Sequence, residues 1–213
     1  MRFVGKNDDA NTIYLLAKEW DYTLWQEKVV LHKSTDKGET FQQALNLSSL
    51  MTGSFDIWTP RYSAGAVFLF NDGALYRVNA NDQLTPVSDF YPAGTGNSLL
   101  TGRVENGEVF LYARVDDHIY FSGDSGISWA DKGSVPCGTF SVNSFNASNT
   151  SPDHLFIGGI EVFRSDNGAG SWQRVNNWWE YYGNESSRLH VDIPEIRVFP
   201  AALSADRQAA ETR

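Results

Sequence analysis

The chain carries a single cysteine, Cys137, in 213 residues, which excludes an internal disulfide and any metal site built from several thiolates. Lying between Pro136 and Gly138, that cysteine reads as a small loop or buried residue and not as a nucleophile. No apolar run reaches the length of a membrane-spanning helix, and Met1-Arg2-Phe3-Val4-Gly5 lacks the pattern of a signal peptide. Basic residues are few: 17 Lys and Arg stand against 26 Asp and Glu, a net charge of −9, with no basic cluster. Nucleic acid and anionic membranes are therefore poor partners on electrostatic grounds. The Asp/Gly-rich segments lack the ligand alternation and closing Glu of a calcium loop, so no metal and no cofactor is expected.

What the chain has in quantity is short apolar runs. Ile13–Ala17, Val29–His32, Ala66–Phe70, Ala74–Val78, Val109–Ala113, His118–Phe121, Leu155–Ile157 and Ile160–Arg164 are rich in β-branched and aromatic residues and too short for helices. A phrase recurs after successive pairs of them. It reads Ser34-Thr35-Asp36-Lys37-Gly38-Glu39-Thr40-Phe41, then Ser122-Gly123-Asp124-Ser125-Gly126-Ile127-Ser128-Trp129, then Ser165-Asp166-Asn167-Gly168-Ala169-Gly170-Ser171-Trp172. Ser34, Ser122 and Ser165 lie 88 and 43 positions apart, and a worn copy, Asn79–Pro86, falls halfway across the longer gap. A period of about 40–50 residues made of short strands is the signature of propeller blades.

The residue types suit a turn joining two antiparallel strands. Asp or Asn caps nearby backbone N–H groups, Gly takes a backbone angle that side chains resist, and the closing Trp or Phe buries a ring against the sheet. The phrase resembles the Asp-box, or BNR repeat, of sialidases, sortilin-type receptors, xyloglucan-degrading glycoside hydrolases and a plant photosystem assembly factor. That resemblance implies an all-β fold: a β-propeller segment of about four four-stranded antiparallel blades plus the first strand of a fifth. The propeller spans 1–199, with an irregular or disordered tail at 200–213. It also implies that Ser34, Asp36, Gly38, Phe41, Ser122, Asp124, Gly126, Trp129, Ser165, Asn167 and Trp172 are structural. The blades are expected at Arg2–Leu47, Phe55–Val87, Leu99–Lys132 and Phe140–Val175, with Leu189–Phe199 opening the fifth. Known Asp-box propellers have six or more blades, so the remaining blades are expected elsewhere in the full-length chain. Such proteins are usually exported, which implies an extracellular or periplasmic location.

In a propeller the first strands line the hub and the loops at one end form the binding face. Trp178, Trp179, Tyr181 and Tyr182, in an Asn-rich connection, could stack sugar rings or seal a joint between blades. His190 and Asp192 share one side of a strand and form a weak acid–base candidate pair. Arg61, Arg103 and Arg197 lie near first strands, where guanidinium groups could grip a carboxylate. Three readings follow. The preferred one is a non-catalytic recognition module for a glycan or protein at the central face. The others are a glycoside hydrolase fragment, xyloglucanase-like or, less favoured, sialidase-like, and a rigid receptor or assembly scaffold.

Overall fold

The computed structural model describes residues 1–6, 9–60, 66–91, 98–135, 144–148, 150–151, 153–159 and 161–175. These residues form sixteen strands and no helix. Four consecutive strands make each sheet: β1 (Arg2–Gly5), β2 (Ile13–Asp21), β3 (Gln26–Ser34) and β4 (Gln42–Asn46) come first. The second holds β5 (Phe55–Trp58), β6 (Val67–Asn71), β7 (Ala74–Val78) and β8 (Leu84–Asp89). The third holds β9 (Ser98–Glu105), β10 (Glu108–Val115), β11 (His118–Ser122) and β12 (Ala130–Ser134), and the fourth β13 (Ser144–Ala147), β14 (Leu155–Gly158), β15 (Val162–Ser165) and β16 (Gln173–Arg174). Every pairing is antiparallel, so each sheet is a simple up-and-down meander. The expected four blades are present; Leu189–Phe199, the expected fifth opening, and the tail lie outside the described residues.

The first strands gather at the centre: β5 lies against β1 and β9, and β9 against β13. Side-chain oxygens tie them together. Thr59 Oγ1 donates to Gly5 O (3.2 Å), Leu100 N–H to Asp56 Oδ2 (2.9 Å), and Ala147 N–H to Thr101 Oγ1 (3.0 Å).

Period-two geometry explains the unbroken apolar runs. Val67 and Leu69 of β6 pack against Tyr14, Leu16, Val29 and Leu31 of the first sheet. The alternate residues Phe68 and Phe70 pack the other way, against Leu100, Val109, Leu111 and Ala113 of the third. A third seam joins Leu99, Tyr112 and Ile119 to Phe145, Leu155 and Ile157. A sheet buried on both faces calls for apolar residues on both sides of its second strand: Val67–Phe70 are all apolar and buried, and Asn71, which closes the strand, is buried with its amide donating to Thr52 O and Ser54 O (2.6 Å each).

The recurring phrase forms the turn between third and fourth strands in sheets one, three and four. Ser122 Oγ donates to Asp124 Oδ1 (2.8 Å) and accepts from Gly126 N–H (2.8 Å). Asp124 then accepts from Ser128 N–H (2.9 Å) and Ser128 Oγ (2.6 Å). Ser34, Asp36, Gly38 and Thr40 repeat the set. In the fourth sheet an amide replaces the carboxylate, and the last bond reverses: Asn167 Nδ2 donates to Ser171 Oγ at 2.9 Å. The bend needs two successive left-handed residues, Lys37 and Gly38 or Ser125 and Gly126. In the fourth sheet these are Gly168 and Ala169, so an alanine at φ +74° takes the place expected of glycine. At Gly126 glycine is also a packing requirement, because a methyl there would lie 2.1 Å from Leu75 Cδ2.

Two expectations need correction. The halfway copy is not a matching turn: only five residues separate β7 from β8, and Asn79, not Asn81, accepts from Gln83 N–H (3.0 Å), four residues on. The closing ring of the first copy is not buried either. Trp129 stacks on Phe90 of the preceding sheet, whereas Phe41 belongs to the first sheet, has no preceding sheet among the described residues, and is 40% exposed.

Candidate functional site

The four first strands enclose a solvent-open cavity of about 650 Å³. Its wall is built from consecutive residues of those strands and of the chain just beyond them, with Arg2 on β1 and Lys6 after it, Asp56 on β5 and Thr59 after it, Thr101 on β9 and Asn146 on β13. Cations, hydroxyls and an amide thus face one space, with Trp58 adding an apolar surface.

Asp56 is the chemical centre of this wall. It is buried, accepts N–H bonds from Leu100 (2.9 Å) and Ile57 (3.0 Å), and lies 3.5 Å from Arg2 Nε. Burial pushes its carboxyl above the ordinary carboxylate range, while the Leu100 N–H and the Arg2 guanidinium pull the other way. Among the described residues that line the cavity, Asp56 is the one carboxylate.

Arg103 is not brought to this space. It sits on β9, but its guanidinium carbon packs 4.7 Å from the centre of the Phe110 ring. Its nitrogens reach Tyr112 Oη and Glu105, each at 3.4 Å. The buried guanidinium braces the third sheet, in contrast to the carboxylate-gripping role expected of it. Arg61, Arg197, Trp178, Trp179, Tyr181, Tyr182, His190, Asp192 and Cys137 lie outside the described residues. The turn residues Ser34, Asp36, Gly38, Ser122, Asp124, Gly126, Ser165 and Asn167 lie in the turns between third and fourth strands and are not among the residues that line the cavity.

Sequence reasoning missed Arg2, Asp56, Thr59, Thr101 and Asn146. A signal existed for two of them: Arg2 and Asp56 each stand as an isolated polar residue within an apolar first strand, whereas Asn146 lies in a polar stretch and Thr59 directly after β5.

The sequence matches no protein-family model and no curated protein. Among solved structures the chain is similar to the GH74 xyloglucanase of Xanthomonas campestris, at 13% identity and a TM-score of 0.61, covering 83% of this chain and 30% of that one. It is also similar to the GH74 enzyme of Niastella koreensis, at 16% identity and a TM-score of 0.50, covering 81% of this chain and 37% of that one. The chain therefore spans well under half of either enzyme's length. Likeness at these identities speaks to fold alone, and the fold is that of a β-propeller: four radial blades around a shared hub.

Proposed function

We propose that these residues are part of an exported Asp-box β-propeller that recognises a glycan or a protein at its hub without cleaving it. The supporting observation is the hub wall. Among its described residues there is one carboxylate, already engaged by two backbone N–H groups and by Arg2. Glycoside hydrolysis by the common schemes needs two carboxyl groups, roughly 5–10 Å apart, one of them free to transfer a proton. A wall of Arg2, Lys6, Thr59, Thr101 and Asn146 offers hydrogen-bond donors and acceptors suited to holding hydroxyls or peptide groups. In this reading Trp178, Trp179, Tyr181 and Tyr182 supply stacking surfaces, and Arg61 and Arg197 supply further donors. The Asp-box assignment is supported by the shared bonding of the turns at Asp36, Asp124 and Asn167.

A second reading, a glycoside hydrolase fragment, is favoured by the fold likeness to the GH74 xyloglucanase. There Asp192, oriented by His190, is the acid–base candidate. One pair of assays separates the two. Recognition predicts a glycan-array signal that falls in Arg2→Ala and in Trp178→Ala/Trp179→Ala, with no release of reducing sugar. Reducing sugar released from xyloglucan and abolished by Asp192→Asn would establish the hydrolase instead.

A further inference from the structure

Two asparagines of this chain are followed by glycine, Asn106 and Asn167, and the fold sets them in contrasting conditions. Glycine leaves the backbone nitrogen after the asparagine unshielded by a Cβ, so that nitrogen can reach the side-chain carbonyl carbon. Whether it does so depends on how firmly the two groups are held.

Asn106 and Gly107 are the whole turn between β9 and β10. Glu105 pairs with Glu108, and the two residues between them take φ +52° and +86°. Two successive positive angles mark the tight hairpin turn that Asn-Gly favours. Glu105, Asn106, Gly107 and Glu108 are all exposed. Among the described residues no hydrogen bond holds the Asn106 amide or the Gly107 N–H. Apart from its chain neighbours, nothing lies within 4 Å of where a Cβ would stand on Gly107. Firm contact begins at Val109, which is buried and whose carbonyl accepts from Ser125 N–H (3.2 Å). The tip can therefore open without disturbing the seam behind it.

At Asn167 every group the same reaction needs is engaged. Its Oδ1 accepts from Ser165 Oγ (3.0 Å) and Ser171 N–H (2.8 Å), and its Nδ2 donates to Ser171 Oγ (2.9 Å). The following nitrogen, that of Gly168, donates to Asp153 O (2.9 Å).

We infer that Asn106 is a site of spontaneous deamidation and that the corner around Asn167 shields the second Asn-Gly pair. The Gly107 nitrogen gives up its proton to solvent and attacks Asn106 Cγ. A Cγ–N bond forms, the Cγ–Nδ2 bond breaks, and the amide nitrogen takes a proton from water and leaves as ammonia. The five-membered imide then consumes one water. Opening at Cγ yields aspartate; opening at the backbone carbonyl of residue 106 yields isoaspartate, in which the chain runs through the former side chain. Either product sets a new carboxylate between Glu105 and Glu108 in a chain already at −9. The isoaspartate also adds a backbone methylene to a two-residue turn, so the pairing of Glu105 with Glu108 loosens. The reaction needs only water, so this inference does not rest on the hub reading.

The test incubates the whole chain in mildly alkaline buffer, with and without concentrated urea, followed by digestion in acid and peptide mapping by mass spectrometry. In the folded chain Asn106 should gain one mass unit roughly tenfold faster than Asn167, with isoaspartate the larger product. In urea, where neither turn exists, the two rates should converge. Asn106→Gly suits the turn, and should abolish the acidic species that anion exchange separates without lowering the unfolding midpoint. The aged fraction should unfold earlier than the parent. Equal rates at the two sites in the folded chain, or Asn106 intact while Asn167 converts, overturn the inference. So does a rate ratio that persists in urea, which would trace the difference to neighbouring residues and not to the fold. An aged fraction as stable as the parent overturns the loosening of the hairpin.

Discussion

Trp129 of the third blade donates its indole N–H to Ser88 Oγ of the second at 3.0 Å, and Ser88 Oγ in turn donates to Gly126 O at 2.6 Å. The corner of one blade is thus bonded to the outermost strand of the blade before it, while the indole stacks on Phe90 at 4.4 Å between centres. Ser88→Ala should cost about 1 kcal/mol, because Trp129 retains a second acceptor, Gly126 O at 2.9 Å. Trp129→Ala removes the ring from the seam and should cost about 3 kcal/mol. Urea denaturation followed by far-UV circular dichroism checks both; equal effects would mean that the hydrogen bond, not the ring, dominates the seam.

The corners at Asp124 and Asn167 differ by one group and bend alike, which ranks two substitutions. Asp124→Asn can keep the acceptor for Ser128 N–H and reverse the hydroxyl bond, as Asn167 does with Ser171. Asp124→Ala loses these two bonds and the one accepted from Ser122 Oγ. The urea midpoint should fall clearly for the alanine variant and only slightly for the asparagine one.

Acid should loosen these corners. Hydrogen bonds from the Ser34 and Thr40 hydroxyls, and from Ser128, hold the Asp36 and Asp124 carboxyls down at about 2. The ionised forms favour the folded chain, so their contribution is present above the ordinary carboxylate value and is lost as pH falls through the folded one. The parent should lose thermal stability between about pH 4 and pH 2 more steeply than Asp36→Asn/Asp124→Asn. Parallel melting curves across that window would refute the idea.

Asp56 behaves in the opposite sense. Its carboxyl is raised, so ionisation costs stability as pH climbs from the ordinary carboxylate value through the folded one. Asp56→Asn keeps an acceptor for Leu100 N–H, removes a buried charge and should change stability by about 1 kcal/mol or less. Asp56→Ala leaves Leu100 N–H without its partner and should cost about 1–3 kcal/mol. Thermal melts at pH 7 discriminate these outcomes.

The blades were legible in the sequence because their second strands, such as Val67–Phe70, are apolar on both faces and sit between polar corners at a steady spacing. The corner at Asn79 was misaligned by two positions because residue identity alone does not reveal that a five-residue turn moves the capping role to its first residue. Arg103 was placed at the hub because it lies on a first strand. Which way an alternating strand turns each side chain depends on both neighbouring sheets, so Leu99 and Leu100 face different seams with no local sign of it. Asp56 escaped notice because its role rests on Leu100, 44 residues away.

Each interior sheet presents one oily side to its predecessor and another to its successor, and the three seams share no side chains. The molecule is in this respect a row of tiles with nearest-neighbour adhesion. Damage at one joint should then split the row locally and leave the remaining pairs clasped. Limited protease digestion of Trp129→Ala would release fragments whose ends map to the junction between the second and third tiles.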